Sequence, residues 1–306
     1  MSGPVVAIGI FDGVHRGHRA ILGRAVRRAK VLGTSAVALT FWPHPAVVVA
    51  PHRAPPMLLS LDQRLAAFVA CGIARTVVLR FSKTFARQAP ERFVERVLVR
   101  RLRAREVVVG HDFRFGRDRA GTVETLRALA RTHGIRVHVV PPVRVRGVRV
   151  SSKIIRRAMA RGRLSTVRRY FGRPPTVIGR VVRGAGRGKR VGIPTANVAV
   201  TAGVLPPPGV YAVQARPLGA AAHPAAPWWP AVANLGWRPT VERRHPAAPV
   251  LEVHLLRRDV PPLRGRTLEV AFVQRLRPER RFPSVAALVA QIRRDIAAAR
   301  RRLINV

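Results

Sequence analysis

The stretch that most constrains the fold of this 306-residue chain is residues 3–18, which read GPVVAIGIFDGVHRGH. The apolar run Val5–Ile10 has the composition of a buried strand. A turn containing Gly13 follows, and a helical pattern then extends through Leu32. A strand that leads through a glycine-containing loop into a helix N-terminus presents free backbone N–H groups and the positive end of the helix dipole. The stretch therefore predicts an α/β domain with an anion site suited to a polyphosphate.

Two histidines, His15 and His18, stand three positions apart at the start of the predicted helix. Taken alone, that spacing is equally typical of surface histidines or of half a metal site. Here it directly follows a buried strand and lies beside Gly9 and Gly13, which favours contacts to phosphate. Gly17 lacks a Cβ atom and so allows a ligand to approach the backbone closely.

The first half of the chain alternates strand and helix patterns, which predicts a parallel sheet with helices on both faces and ligands at the carboxyl ends of its strands. The predicted strands are Val5–Ile10, Ser35–Phe41, Thr76–Leu79, Glu106–Val109 and Arg136–Val140. The predicted helices are residues 15–32, Leu61–Ala70, Pro90–Arg101, Val123–His133, Ile154–Ala160 and Leu164–Phe171. This pattern is typical of a Rossmann-like domain.

The second half has short β-rich runs separated by turns rich in glycine and proline, which predicts a small antiparallel barrel. These runs are Val177–Arg183, Gly209–Ala215, Ala231–Leu235, Leu251–Leu256 and Leu268–Gln274. An amphipathic helix is predicted over Val285–Leu303. The segment Arg173-Pro174-Pro175 breaks the preceding helical pattern. We therefore expect two domains, residues 1–172 and 173–306.

The formal net charge of +43 is extreme and raises the possibility of a nucleic-acid-binding protein. All but four of the 57 basic residues are arginine, and they are spread along the whole chain. This bias indicates compositional drift better than it indicates a binding stripe. We expect no specific nucleic-acid partner, although non-specific binding to polyanions is expected at low salt.

Cellular context is constrained by the single cysteine, Cys71, which cannot form an internal disulfide. No apolar run reaches the roughly 18 residues that a membrane helix needs. These features favour a cytoplasmic protein without a membrane partner. The oligomeric state is not predicted.

Residues 9–18, called the HxGH segment below, resemble the GxFDGVHxGH signature of the prokaryotic bifunctional riboflavin kinase/FAD synthetases, which is a form of the HxGH nucleotidyltransferase motif. Other stretches resemble further motifs of this family, in order and along nearly the whole chain. They are Thr40–Pro45, Gly110–Gly116, Val150–Arg156, Gly184–Asn197, Asn234–Thr240, Leu251–Leu256, Arg275–Phe282 and Gln291–Asp295.

The resemblance implies that the N-terminal domain transfers the adenylyl group of ATP to FMN and releases pyrophosphate. His15, His18 and Arg156 would contact the phosphates. The ATP-binding residues implied for this domain are Gly9, Phe11, Asp12, Gly13, His15, Gly17, His18, Ser151, Ser152, Lys153 and Arg156. The flavin-binding residues implied are His44, Asp112, Phe113, Arg114 and Phe115, although core packing explains Phe113 and Phe115 equally well.

In the C-terminal half, Gly184, Gly186 and Gly188 predict a loop that covers phosphate. Thr195 and Asn197 follow Pro194, and we interpret them as part of a rigid turn. Their hydroxyl and amide oxygens suit Mg²⁺ held mainly by the phosphates of ATP. The ATP-binding residues predicted for this half are Gly184, Arg187, Gly188, Lys189, Gly192, Pro194, Thr195 and Asn197.

Phosphoryl transfer also needs a base near the attacking hydroxyl, and Glu252 on a predicted strand is the candidate. The resemblance places the family's riboflavin kinase base at this position. It also implies that Asn234, Arg238 and Glu252 bind the flavin. His254 lies on the same strand face as Glu252, and core packing is an equal alternative for it.

One residue departs from the family pattern. Position 153 is lysine where the motif has threonine, so a hydroxyl that could bond phosphate is replaced by a long cation. This departure leaves open a riboflavin kinase with a degenerate adenylyltransferase domain. The net charge leaves open a second alternative, a basic nucleic-acid-binding protein.

Overall fold

The computed structural model describes residues 3–184, 188, 191–219, 227–237, 249–257 and 259–304. The chain forms two compact units, of which the first contains Met1–Pro56 and Leu61–Ser152 and the second Met57–Ser60 and Lys153–Val306. The domain boundary at residues 172/173 stays a prediction. Within the described part of the chain, no helix is long and apolar enough to cross a membrane.

A five-stranded sheet forms the centre of the first unit, and all of its strand pairs are parallel. Its strands are β1 (Val5–Ile8), β2 (Ala36–Trp42), β3 (Arg75–Arg80), β4 (Glu106–Gly110) and β5 (Arg136–Val140), in the spatial order β3-β2-β1-β4-β5. All four residues of β1 are buried, as its uninterrupted apolar sequence predicts. The predicted parallel α/β architecture is confirmed.

Six helices and a short ribbon complete this unit. They are α1 (Arg16–Val31), α2 (Pro45–Val49), α3 (Leu61–Val69), α4 (Lys83–Ala86), α5 (Pro90–Phe93), α6 (Val123–Arg131), β6 (Arg144–Val145) and β7 (Val148–Arg149). A π-helix, Val94–Arg101, continues α5, so the single helix predicted over Pro90–Arg101 changes its hydrogen-bond pattern midway. Phe93, Val94 and Leu98 belong to the hydrophobic cluster that contains the sheet residues Val6 and Val107, called the main core below.

Helix α7 (Ser152–Ala160), of which all but Ser152 belongs to the second unit, and helix α8 (Leu164–Phe171) lie at predicted positions. A closed antiparallel barrel follows. Its strands are β8 (Thr176–Val182), β9 (Ala196–Ala202), β10 (Gly209–Leu218), β11 (Trp229–Trp237), β12 (Pro249–Leu255) and β13 (Thr267–Arg277). Their order around the barrel is β10-β11-β12-β9-β8-β13. The terminal helix α9 (Val285–Leu303) packs Ala299 and Leu303 against Val210, Ala212 and Val232 on the outer face of the barrel. The predicted barrel and helix are confirmed.

One barrel strand, β9, was not predicted. Asn197 lies in this strand, so the prediction of a rigid turn through Asn197 is wrong. The physical reason is that Val198, Val200 and Thr201 are β-branched and pair readily in a sheet. Pro194 and Thr195 precede the strand in irregular backbone.

Candidate functional site

The HxGH segment leads from the carboxyl end of β1 into the N-terminus of α1. His15 is buried and caps the helix, because its Nδ1 accepts a hydrogen bond from the backbone N–H of His18 at 3.4 Å. The two imidazole rings are stacked, with centroids 3.6 Å apart. The edge of the His18 ring also meets the ring of Phe11, with centroids 5.5 Å apart. The two predicted histidines therefore form one packed unit at the helix end.

The backbone of this segment is held in an unusual conformation. Phe11 has φ +52°, Gly13 has φ +94° and Val14 has φ +41°. Positive φ angles are costly for residues with a Cβ atom, and a β-branched residue such as Val14 is an outlier there. Such strain persists where the surrounding structure over-determines it, which is a common property of ligand sites.

Burial, then the neighbouring His15 and then Arg64 lower the pKa of His18 well below its ordinary value. The ring is therefore neutral at pH 7. Its Nδ1 atom is buried and has no hydrogen-bond partner within the described residues. A neutral imidazole at a helix N-terminus can orient a phosphate oxygen by hydrogen bonding, while the helix end supplies the positive field.

Other predicted segments meet the HxGH segment in the same unit. Ser152 donates a hydrogen bond from Oγ to the backbone carbonyl of Asp12 at 2.9 Å. A Cβ atom on Gly17 would lie 3.8 Å from the carbonyl of Val150. Sequence segments predicted separately as an ATP site are thus brought together at one edge of the parallel sheet. Lys153 and Arg156, also predicted for this site, lie on α7 in the second unit, where Lys153 is exposed and Arg156 is half-buried.

The loop after β2 lies at the same edge of the sheet. His44 caps α2, with its Nδ1 accepting a hydrogen bond from the backbone N–H of Ala46 at 3.1 Å. Strands β2 and β4 flank β1 on either side, so the loops after all three strands are neighbours.

The predicted flavin residues after β4 separate into two groups. Asp112 is exposed and forms an ion pair with Arg149 of the β6–β7 ribbon, and Arg114 is also exposed. Phe115 is buried in the main core, where its ring stacks on that of Phe113 with centroids 5.5 Å apart. The structure therefore gives Phe115 a packing role, and Phe113 contacts the same core from a partly buried position.

Sequence reasoning missed Arg64, whose side chain is fully buried behind the HxGH segment. Its Nη1 atom donates a hydrogen bond to the backbone carbonyl of Ile10 at 2.7 Å. A signal was present, because positions 61, 64, 65 and 68 follow the period of one helix face. Arg64 occupies a core position in that pattern and lies one turn from the buried Phe68.

The second group of predicted residues meets on the barrel. Strand register pairs Glu252 directly with Asn197 on one neighbouring strand and with Asn234 on the other. Directly opposed residues have side chains on the same face, with Cβ atoms about 5 Å apart. Leu251 and Val253 are buried on the opposite face. Asn197, Glu252 and Asn234, called the three-strand row below, thus share the outer face of the barrel.

Two glycines bring the chain close to this row. A Cβ atom on Gly184 would overlap the side-chain amide of Asn197, and one on Gly188 would lie 3.2 Å from the hydroxyl of Thr195. Gly192 has φ +74°, a conformation that favours glycine. Gly184 and Gly188 of the predicted phosphate-covering loop therefore lie close to the predicted Mg²⁺ ligands Asn197 and Thr195. Arg187, Lys189 and Arg238, also predicted as site residues, lie outside the described residues.

His254 lies outside the barrel interior, on the same strand face as Glu252. Its Nδ1 atom is 2.8 Å from the backbone carbonyl of Pro194, which the ring N–H can bond. This contact ties β12 to the segment that carries Thr195. In the part of the chain that the structure describes, no group of three or more histidine, cysteine or acidic side chains could hold a metal ion.

Comparison with known proteins assigns separate families to the α/β region and to the barrel region. Residues 1–154 match the family model for FAD synthetase, and residues 171–303 match the family model for riboflavin kinase. A solved structure described as a macrolide-efflux protein from Streptococcus pneumoniae is 28% identical and superposes with a TM-score of 0.84, over 98% of this chain and 94% of that chain.

Curated relatives match both regions in a single alignment. The bifunctional riboflavin kinase/FMN adenylyltransferase of Escherichia coli K12 is 38% identical over 98% of this chain and 92% of its own length. The protein of the same name from Pseudomonas fluorescens is 39% identical over 97% of this chain and 92% of its own length. With an HxGH segment in the parallel α/β unit and a three-strand row on the barrel, the chain belongs to the family of bifunctional riboflavin kinase/FMN adenylyltransferases.

Proposed function

We propose that this chain makes FAD from riboflavin in two steps, with ATP as the co-substrate of both. The barrel unit phosphorylates riboflavin to FMN, and the α/β unit transfers the adenylyl group of a second ATP to FMN. The observation that carries this proposal is the pairing of Glu252 with Asn197 and Asn234, because it places a base and amide ligands in one row.

In the adenylyl transfer, a phosphate oxygen of FMN attacks the α-phosphorus of ATP. The bond from that phosphorus to the bridging oxygen of the β-phosphate breaks, and pyrophosphate leaves. His15, His18 and the N-terminus of α1 contact the ATP phosphates, and Arg156 contacts the leaving pyrophosphate. The protein positions two anions and stabilises the charge that develops between them.

The remaining residues of the adenylyltransferase site bind the two substrates. The backbone of Gly9–Gly13, together with Gly17 and Ser151–Lys153, lies against the nucleotide. His44, Asp112 and Phe113 lie on the flavin side, supported by Phe115 from the core. Arg114 is exposed and available to the FMN phosphate.

In the kinase reaction, the ribityl hydroxyl of riboflavin attacks the γ-phosphorus of ATP, and ADP leaves. Glu252 accepts the proton of that hydroxyl, while Asn234 and Arg238 hold the flavin. The segment Gly184–Gly192, with Arg187 and Lys189, covers the phosphates of ATP.

Mg²⁺ fits the chemistry of the donors near the row, because the hydroxyl of Thr195 and the side-chain amide of Asn197 provide hard oxygen ligands. Thr195 and Asn197 would hold the ion together with the nucleotide phosphates, and the ion would neutralise phosphate charge. We also propose the domain boundary at residues 172/173 and a cytoplasmic location.

The test is to incubate the full-length chain with riboflavin and Mg-ATP and to separate the flavins by chromatography over time. We expect FMN to appear first and FAD to follow. A separate incubation with FMN and Mg-ATP should give FAD and pyrophosphate. FMN without FAD in both incubations would leave a riboflavin kinase with a degenerate first domain, and the absence of both products would overturn the proposal.

A further inference from the structure

Arg64 on α3 is a charged residue in a buried position. It is the largest fully buried side chain among the described residues. Its Nε and Nη2 atoms are buried without a hydrogen-bond partner in the described part of the chain. Its guanidinium carbon lies 5.3 Å from the centroid of the Trp42 ring. Nη1 alone is satisfied, by the carbonyl of Ile10 at 2.7 Å.

This arrangement works against folding stability. Burying a charged group without full hydrogen bonding is costly, and an unsatisfied buried donor loses its hydration without compensation. Burial lowers the pKa of Arg64, and the charge of Asp12 opposes that shift. An arginine nevertheless stays protonated in proteins. A methionine of similar length would satisfy the same core position of α3 at lower cost.

The contacts of Arg64 lead to the HxGH segment. The carbonyl of Ile10 accepts hydrogen bonds from Arg64 and, at 3.1 Å, from the hydroxyl of Thr40. The next residue, Phe11, is the first of the residues held at positive φ, and its ring contacts His18. Two donors on one carbonyl thus fix the backbone at the residue before the strained turn begins.

The charge of Arg64 also acts on this segment. Together with burial and His15, it lowers the pKa of His18. A permanent cation behind the loop, in a region that excludes water, strengthens the attraction for phosphate charge that develops in front of the loop. This effect needs no contact between Arg64 and the substrate.

We propose that Arg64 is a positioning residue for adenylyl transfer, which fixes the Ile10 carbonyl at the start of the HxGH turn and supplies a fixed positive charge behind it. The inference rests on the proposed adenylyltransferase function. Burial of Arg64 lowers folding stability, and the proposed role explains why an arginine is nevertheless present. Loss of Arg64 should therefore lower the activity without lowering the folding stability.

The decisive variant is Arg64→Met, which keeps the length of the side chain and removes its charge and donors. We expect the kcat for FAD formation from FMN to fall about 100-fold, as for the loss of a preorganised group at an active site. We expect the KM for ATP to change less, and the melting temperature to stay the same or rise. The rate of riboflavin phosphorylation, measured on the same samples, should not change.

Two further variants separate positioning from packing. Arg64→Lys keeps the charge and should retain more activity than Arg64→Met. Arg28→Met is the matched control, because Arg28 is in the same unit and pairs with Glu106 far from the loop. This control should lower the melting temperature and leave the kcat of the folded protein unchanged.

An independent measurement is the NMR titration of the His18 ring, on which burial, His15 and Arg64 act. In Arg64→Met the pKa of His18 should rise only in part, because burial and His15 still lower it, whereas in Arg64→Lys it should stay at its wild-type value. The inference is overturned if Arg64→Met keeps the wild-type kcat, or if Arg64→Lys is as impaired as Arg64→Met with the same His18 titration. If wild-type protein makes no FAD from FMN, the proposed function itself fails.

Discussion

The two units assemble their sites in different ways. In the α/β unit, one continuous segment supplies both histidines, and local backbone angles at Phe11, Gly13 and Val14 set their geometry. In the barrel, Asn197, Glu252 and Asn234 come from three strands, and strand register alone makes them neighbours. One short segment therefore carries the histidines of the first site, and the distant Thr40 and Arg64 hold the start of its turn, whereas the second site exists only in the closed barrel.

The chemistry of the two sites differs as well. The neutral imidazole and helix N-terminus of the HxGH segment, with the buried cation Arg64 behind it on α3, can together stabilise negative charge without exchanging a proton. The three-strand row instead carries a carboxylate, which can accept one. The first site therefore suits a transfer between two phosphates, and the second suits the activation of a hydroxyl.

The largest effect is expected for Glu252→Gln, which keeps the size of the side chain and removes the base. FMN formation from riboflavin should fall by about 10³-fold, since general base catalysis typically contributes 10²–10⁴-fold. FAD formation from FMN should persist. Both rates can be measured on one sample by chromatography of the flavins.

The control for Glu252→Gln is Glu269→Gln, on β13. Glu269 is a buried barrel carboxylate that pairs with Arg216 at 2.7 Å and lies outside the three-strand row. Its loss should lower stability without abolishing FMN formation. Loss of both FMN formation and FAD formation in folded Glu252→Gln would contradict the assignment of one reaction to each unit.

The second prediction concerns His18→Ala. FAD formation should fall by about 10²-fold, because a preorganised phosphate contact is removed, and riboflavin phosphorylation should be nearly unchanged. His133→Ala, which changes a histidine at the end of α6, is the matched control and should affect neither rate. An unchanged FAD synthesis rate in His18→Ala would remove the HxGH segment from the mechanism.

The third prediction concerns an ion pair in the α/β unit that lies far from the HxGH segment. Glu106 lies at the amino end of β4 and accepts two hydrogen bonds from Arg28, at 2.7 and 2.8 Å, while His138 Nε2 lies 2.7 Å away. The hydrogen bond from Arg28 is the main reason that the pKa of Glu106 is lowered to about 2. A lowered pKa contributes stability that is fully present above the unfolded-state value and is lost as pH falls.

We therefore expect Glu106→Gln to lower the free energy of unfolding by roughly 3 kcal/mol at pH 7. The difference from wild type should shrink as the pH falls below about 4.5 and approach zero near pH 2, which urea unfolding at several pH values can measure. The kcat values of the folded variant should be unchanged. Equal stability at pH 7 would show that the ion pair does not stabilise the sheet.

The smallest effect is expected for Lys153→Thr, which restores the residue typical of the family. Charge that binds ATP and the transition state equally helps binding and leaves kcat unaffected, and tight binding of pyrophosphate slows its release. The kcat for FAD synthesis should rise a few-fold, on the order of the effect of one surface charge, and the KM for ATP should rise with it. Lys83→Thr, at another exposed lysine, is the control. A lower kcat would instead show that Lys153 acts in the transition state.

Much of this architecture could be predicted from sequence, for reasons visible in particular residues. The apolar run of β1 and the period of α8 fixed these elements to within one or two residues. Strand β9 was missed because its small and β-branched residues follow a glycine-rich stretch and lack a clear alternation. The change to a π-helix after Phe93 was also missed, because the periodicity of apolar residues barely distinguishes the two helix types over two turns.

The site residues also fall into those that the sequence could predict and those that it could not. The histidines could be predicted because they are three residues apart, and the shared face of Glu252 and His254 follows from the period of a strand. The pairing of Glu252 with Asn197 depends on which strands close the barrel, which no local pattern records. Arg64 was missed because a charged residue in a helical pattern is normally assigned to the exposed face.

The β9–β12 pairing has a consequence for how the enzyme becomes active. Asn197 and Glu252 are far apart in the chain, with β10 and β11 between them, so their contact has a high loop-closure cost and depends on contacts formed by other strands. A chain with unpaired β9 and β12 has all the residues of the kinase and no kinase site. The return of riboflavin phosphorylation during refolding therefore reports when the barrel closes. The HxGH turn needs only β1, β2, α1 and α3 to be in place, because the Ile10 carbonyl accepts hydrogen bonds from Thr40 and Arg64.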